Sequence, residues 1–354
     1  MINTLINILH QKSIKKRVAK NIVLIAYSIL KSKTLFMRQL ALYIPSHGIK
    51  QSRVNRIWRF FHKMKFNTLD CFKAFAKLIV SKVKTRYVIV DFTSLKAYDV
   101  SIFIASFPLK GRSCPFYARV LRKSDIDSIK YKSQNDFIFK CMEEILGILP
   151  FKPIIIADRG FCFYEFLRFV CEKGVGFVIR LKKDKLIRLK DGREVKVGGL
   201  KKGKYLGYLR EELFIKLAIT EGKDEPWCLG YTPSFISTNT LHMARIYLKR
   251  MQCEQTHREL KMRLKLLGLN KKYYKESYNL ELLERYMVVL IFSIFIGIFL
   301  GKVFIERYRE LRKFVVSERF ELSLFGIGLA LLSIEMYFIP KVFKSFRLSL
   351  LRSI

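Results

Sequence analysis

Tyr247, Arg250, Glu254 and Lys261 stand at i, i+3, i+7 and i+14 in a stretch, Tyr247 to Lys261, without proline or glycine. Apolar and charged residues alternate there at helical spacing, which predicts one continuous helix. On such a helix the four residues share a stripe along one face. One carboxylate, Glu254, then sits among two cations and a phenol. Nearby positive charge keeps an acid ionised, so Glu254 suits a metal or phosphate site better than proton donation. Charged helix faces are commonly just solvated, so this stripe needs partners elsewhere in the chain to carry chemistry.

Two acids supply candidates. Asp91 is read as the end of an apolar strand, Tyr87 to Val90, and Asp158 as the end of another, Pro153 to Ala157. An apolar strand that delivers a carboxylate at its carboxyl end aims a ligand at a cleft. Neither acid is stable there without a cation or hydrogen bonds. With Glu254 they make three carboxylates, the set that holds two Mg²⁺ ions for phosphoryl transfer at DNA. Asp99, Asp125, Asp127 and Asp136 lie in less apolar surroundings and are read as structural.

The composition points to the same partner. The chain has 354 residues and a net charge of +38, from 67 Lys and Arg against 29 Asp and Glu. Such a chain repels itself unless it meets a polyanion, with nucleic acid first and an anionic membrane surface second. The basic residues are spread along the whole chain, which implies a broad binding surface. Hydrophobic residues make up 51%, with 30 Phe and 17 Tyr, which argues against a disordered chain despite the charge. The seven cysteines form no CxxC pair, which argues against a zinc ribbon or a thioredoxin motif and suits a reducing cytoplasm. Met1 to Lys20 is mixed and basic, with no long apolar signal core. Tyr286 to Gly301 is uncharged but shorter than the roughly 20 residues of a bilayer span, so a helix buried in protein is expected. Leu322 to Ile339, broken by Glu335, is read the same way.

The elements that must position these residues follow from local pattern. Residues 1–80 read as helices, with Asn21 to Leu30 and Leu35 to Tyr43 apolar at helical spacing and Ser52 as the cap of a third. The helix, turn and helix from Leu35 to Phe61 present Arg53, Arg56 and Arg59 to a phosphate backbone, or form a plain basic bundle. From Arg86 the pattern turns to strands: Tyr87 to Phe92, Tyr98 to Phe107, Ser113 to Leu121, Pro153 to Asp158 and Gly176 to Leu181. Lys110-Gly111-Arg112 is the turn between the second and third. Ser133 to Leu149 and Phe161 to Lys173 read as helices between them, which predicts a mixed α/β core. Lys182 to Tyr231 is rich in Gly and Lys and reads as short strands, including a hairpin across Asp191-Gly192. From Tyr278 onward the chain reads as mostly helical.

These residues resemble a known family, the DDE transposases of bacterial insertion sequences, in the subgroup with a β-rich insertion between its second and third acids. Asp91-Phe92-Thr93-Ser94-Leu95 resembles the first-acid motif, and Ala157-Asp158-Arg159-Gly160-Phe161 the second. Tyr, two residues, Arg, three residues, Glu, six residues, Lys is the subgroup signature, matched by Tyr247, Arg250, Glu254 and Lys261. The likeness covers about residues 85 to 300.

The resemblance implies an α/β fold: an RNase H-like catalytic core at residues 81–181 and 240–300, with a β-rich insertion at 182–239. Helical amino- and carboxyl-terminal regions flank it, a DNA-binding region at 1–80 and a final region at 301–354. Asp91, Asp158 and Glu254 would hold two Mg²⁺ (or Mn²⁺) ions. Tyr247, Arg250 and Lys261 would grip a phosphate near the cleaved end, with Arg258 or His257 assisting, and Trp227 would stack on a base flipped from a hairpin. The reaction implied is cut-and-paste transposition: nicking at the element end, hairpin formation and opening, then strand transfer. The implied partners are element-end and target DNA and a second copy of the chain, with no membrane, in the bacterial cytoplasm at the nucleoid. Two rival readings explain the charge without using the acids: a non-catalytic nucleic-acid-binding relative, and a basic protein anchored by Tyr286 to Gly301.

Overall fold

The computed structural model describes residues 2–95, 99–109, 112–126, 131–210, 212–222, 225–234, 239–264, 280–307 and 324–333. The expected turn residues Lys110 and Gly111, Asp127, and the chain beyond 333 lie outside them. Five helices come first: α1 Ile2–Gln11, α2 Lys16–Ser32, α3 Met37–Tyr43, α4 Lys50–His62 and α5 Thr68–Val80. Ser52 does not cap α4. The helix begins two residues earlier, behind Ile49, and the Ser52 hydroxyl donates back to the Ile49 carbonyl (2.8 Å). This satisfies the hydroxyl locally without covering a free N–H. Within α4, Arg59 is exposed, whereas Arg56 turns inward and its Nε donates to Asn21 Oδ1 (2.8 Å).

The sheet follows: β1 Tyr87–Leu95, β2 Val100–Leu109, β3 Arg112–Arg122, then α6 Gln134–Ile148, β4 Ile154–Ala157, α7 Tyr164–Glu172 and β5 Gly176–Arg180. It continues through β6 Leu186–Leu189, β7 Glu194–Lys196, β8 Gly203–Leu209, β9 Leu213–Thr220 and β10 Trp227–Tyr231. Among the described residues these form a single ten-stranded sheet in the order β3-β2-β1-β4-β5-β10-β9-β8-β6-β7. The β1–β4 and β4–β5 pairs are parallel, and the remaining pairs are antiparallel. The Gly- and Lys-rich segment therefore extends the core sheet through β10, which lies antiparallel against β5.

Both faces of the central strands are buried, and this explains their unbroken apolar runs. Val88, Val90, Ile155 and Phe177 face one large core shared with α5, α6 and α7. Their alternate neighbours Ile89, Ile156 and Val178 pack with Tyr247, Ile246 and Cys253 in a second cluster on the other face. That second face is covered by α8 Thr240–Leu248 and α9 Met251–Arg258.

The predicted continuous helix over Tyr247 to Lys261 is broken. Lys249 and Arg250 form a turn between α8 and α9, and a π-helical turn, Glu259–Arg263, follows α9. Neither break has a local cause in glycine or proline. Arg250 is pulled into the sheet's acids, as described below.

Two apolar helices complete the described chain, α10 Leu280–Arg307 and α11 Leu324–Ser333. By length and composition α10 could cross a membrane, yet most of its apolar stretch is buried, packed against α2, α5, β3 and α11. Arg285 of α10 donates to the Phe61 carbonyl at the end of α4 (2.6 Å), and the ring of Tyr286 stacks on that of Phe61.

Candidate active site

Register sets the two aspartates side by side. Ile89 of β1 pairs with Ile156 of β4, and Asp91 and Asp158 each lie two residues further on. Side chains alternate along a strand, so both acids share the face of Ile89 and Ile156, the face under α8 and α9. Asp91 does not end its strand. The antiparallel ladder to β2 carries β1 on to Leu95, with Asp91 opposite Ile104. What ends before Asp91 is the parallel pairing to β4, and that opens the sheet there.

Asp158 does follow the last residue of β4. Its Oδ1 accepts from Gly160 N (2.8 Å) and caps a single 3₁₀ turn, Arg159–Phe161. A Cβ at Gly160 would come within 2.9 Å of that oxygen, so a glycine leaves room for the cap. The second oxygen, Oδ2, remains free to face Arg250.

Arg250 brings the three acids together. Its Nη2 lies 3.3 Å from Asp91 Oδ2 and 3.5 Å from Asp158 Oδ2, and its Nη1 donates to Glu254 Oε1 at 2.7 Å. The guanidinium is mostly buried, as is Asp91, while Asp158 is about one-third and Glu254 about half exposed. Burial pushes the Asp91 carboxyl above its ordinary range, against the pull of Arg250 and the Cys253 thiol. Burial also opposes the charge on Arg250, but Asp91 and its other neighbours lift its pKa above the ordinary guanidinium value. Three carboxylates, from β1, the turn after β4 and α9, thus share one cationic group.

Arg250→Gln is expected to lower stability by about 2 kcal/mol, below the 3–5 kcal/mol of a fully buried pair because Asp158 and Glu254 keep water. Urea unfolding measures this, and a loss under about 0.5 kcal/mol would mean that the acids are solvated without it.

The remaining expected residues separate into different surroundings. Tyr247 is buried, its hydroxyl pushed up to about 12 by burial, and its ring meets Trp227 edge-on at 5.3 Å. Trp227 is half-buried at the start of β10. Lys261 lies in the π-helical turn, and Arg258 is exposed on α9. His257 turns inward, with Nδ1 at 3.9 Å from Asp91 Oδ2. Burial, aided by the charges of Lys261 and Arg250, pushes it down to about 4. The expected single stripe is therefore divided between the interior and the surface.

Two features of the site emerge only in the fold. Cys253 is buried against Asp91, with Sγ 3.1 Å from Oδ2. Its signal was its position one residue before Glu254, which on a helix turns it toward the sheet. The other is a cavity of about 520 Å³ beside Asp158, lined by Arg159, Arg180, Lys183 and Glu225 among others. The Glu225 carboxylate accepts from Arg180 and from Lys183 (2.7 Å) and lies 4.0 Å from Arg159.

The mixed sheet thus places two aspartates where its β1–β4 pairing ends, and α9 adds Glu254 and Arg250 beside them. Residues 138–288 match the family model of the transposase DDE domain, and this match supports a transposase of the DDE family. Asp158, Arg250 and Glu254 lie within the matched segment, and Asp91 precedes it. No curated protein matches the chain.

Proposed function

We propose that the chain is a DNA transposase of the insertion-sequence type, in the subgroup marked by Tyr247, Arg250, Glu254 and Lys261, with Asp91, Asp158 and Glu254 as its catalytic acids. The convergence of these acids on Arg250 is the observation that carries the reading. The strand run β3-β2-β1-β4-β5, with an acid on β1 and another just past β4, supports an RNase H-like core at 81–181 and 240–300. On this reading β6 to β10 are the insertion at 182–239, residues 1–80 bind DNA, and 301–354 form the carboxyl-terminal region.

The donor set fits a hard divalent cation: three carboxylates, offering oxygen alone, already gathered around one positive group. Mg²⁺ or Mn²⁺, as two ions on Asp91, Asp158 and Glu254, supplies activation of a water or 3′-hydroxyl and stabilisation of the departing oxygen. Arg250 keeps the acids together. Released from them, its guanidinium is a two-pronged donor for a DNA phosphate beside the same acids. Lys261 and Arg258 add charge along the DNA path, and Arg159, Arg180 and Lys183 offer further phosphate contacts at the cavity. The exposed part of Trp227 offers a ring for an unstacked base, worth about 1–3 kcal/mol.

The sequence of steps is nicking at the element end, hairpin formation and opening, and strand transfer, carried out by a homodimer bridging two ends in the cytoplasm at the nucleoid. The burial of α10 favours a chain that is not membrane-anchored.

The test is cleavage of duplex DNA carrying the sequences that flank the gene, using purified full-length chain. With Mg²⁺ or Mn²⁺ the expected products are a nick bearing a 3′-hydroxyl and then a hairpin, and with chelator neither forms. DNA bound without cleavage under every divalent metal would reduce the chain to a non-catalytic binder.

A further inference from the structure

Asp91 has a second set of neighbours that the carboxylate centre does not use. Cys253 and His257 flank Glu254 on α9, and both turn from the surface toward the sheet. Cys253 Sγ is 3.1 Å and His257 Nδ1 3.9 Å from the same Asp91 oxygen, Oδ2. The three residues offer donor atoms that all lie within 4.8 Å of one another. All are buried, with Asp91 7%, Cys253 2% and His257 9% exposed. His257 Nε2 is buried without a hydrogen-bond partner, an uncompensated cost for a polar atom inside a protein.

The chemistry of this set differs from that of its neighbour. Asp91, Asp158 and Glu254 offer oxygen only, which suits Mg²⁺. Asp91, Cys253 and His257 offer oxygen, sulfur and nitrogen, and thiolate with imidazole selects softer ions. Three protein ligands with a fourth position left open is also the ligand count of an open zinc site. We infer that Asp91, Cys253 and His257 form a site for a thiophilic divalent cation of the Zn²⁺ and Cd²⁺ class, sharing only Asp91 with the carboxylate centre.

Binding breaks the Cys253 S–H bond and forms a sulfur–metal bond, and the proton leaves to solvent. Displacing that proton from a buried thiol takes an ion with high affinity for sulfur. Mg²⁺ lacks that affinity, so the site discriminates against it. Arg250 Nη2, 3.3 Å from the same oxygen, gives way as the ion enters. A soft ion held at Asp91 Oδ2 competes with the oxygen set for that oxygen. This consequence for DNA cleavage rests on the transposase reading, but the site itself does not.

Cd²⁺ titrated into metal-free full-length chain, followed by cadmium–thiolate absorption in the ultraviolet, tests the site. One equivalent is expected to produce the band. Cys253→Ser abolishes it, His257→Gln weakens binding about ten-fold or more, corresponding to about 1.4 kcal/mol, and Glu254→Gln leaves it unchanged. Far-ultraviolet circular dichroism checks that the variants are folded. X-ray absorption of the Zn²⁺-loaded wild-type chain gives a readout that needs no variant, with one sulfur and at least one imidazole nitrogen bound to zinc expected. A missing band, a band that survives Cys253→Ser, or an all-oxygen zinc environment would overturn the inference. None of these readouts uses DNA, so a failure here is distinct from a failure to cleave.

Discussion

Asp91→Asn lowers the rate of end-DNA cleavage about a thousand-fold or more, while DNA affinity stays within about three-fold of the wild type. The same is expected of Asp158→Asn and Glu254→Gln. Metal-assisted charge stabilisation is worth several kcal/mol in the transition state, and each 1.4 kcal/mol is about ten-fold in rate. On the proposed assignment of Asp91, Asp158 and Glu254 as metal ligands, losing one of the three removes most of that. Affinity stays because it comes from a chain of net charge +38, and removing a negative charge weakens no phosphate contact. Asparagine and glutamine keep side-chain size, so the variants separate charge from packing. Gel analysis of cleavage beside fluorescence anisotropy of binding reads both quantities. Cleavage that survives any one substitution takes that acid out of the centre.

The sequence carries the two aspartates because their strands are buried on both faces, and continuous β-branched runs are the local mark of that burial. It also carries Glu254 and Arg250, because they stand four residues apart in a stretch without proline or glycine. What it does not carry depends on partners far along the chain. Asp91 reads as a strand end from its polarity, yet the ladder to β2 holds it within β1. Trp227 to Tyr231 lies in the segment that reads as short strands, but its place in the sheet is not visible locally. Pairing with β5 and β9 sets that place. The stretch from Tyr247 to Lys261 reads as one helix because nothing in it breaks a helix. The break at Lys249 and Arg250 coincides with the attraction of one guanidinium to three acids, and two of those acids are distant in sequence. Cys253 is one of seven scattered cysteines in the sequence, and only the fold sets Asp91 opposite it.

Arg119→Met destabilises the fold by about 3 kcal/mol, a large part of the roughly 5–15 kcal/mol that holds a domain together. Arg119, on β3, donates from Nε and Nη2 to Glu144 of α6 (2.7 and 3.0 Å) and from Nη1 to Glu284 of α10 (2.6 Å). Nη1 also reaches Thr68 of α5 (3.1 Å), so one guanidinium ties the sheet to three helices. Removing it leaves two carboxylates without their shared cation. Glu144 keeps about a third of its side chain in water and the Tyr117 hydroxyl as a donor, so most of the loss falls on Glu284. Burial already pushes Glu284 above its ordinary range, with Arg119 holding it back. Without Arg119 its folded-state pKa rises further above the unfolded value. The penalty is then fully present above that raised pKa and shrinks as pH falls through it and the carboxyl takes a proton. Urea unfolding at about pH 7 and about pH 5 should therefore show a smaller deficit at the lower pH. Adding Glu284→Gln to Arg119→Met should recover about half of the loss, because a neutral amide is far cheaper to bury than an unpaired carboxylate. A deficit that is independent of pH and unrelieved by the second substitution would mean that Arg119 acts through packing of its stem rather than through charge.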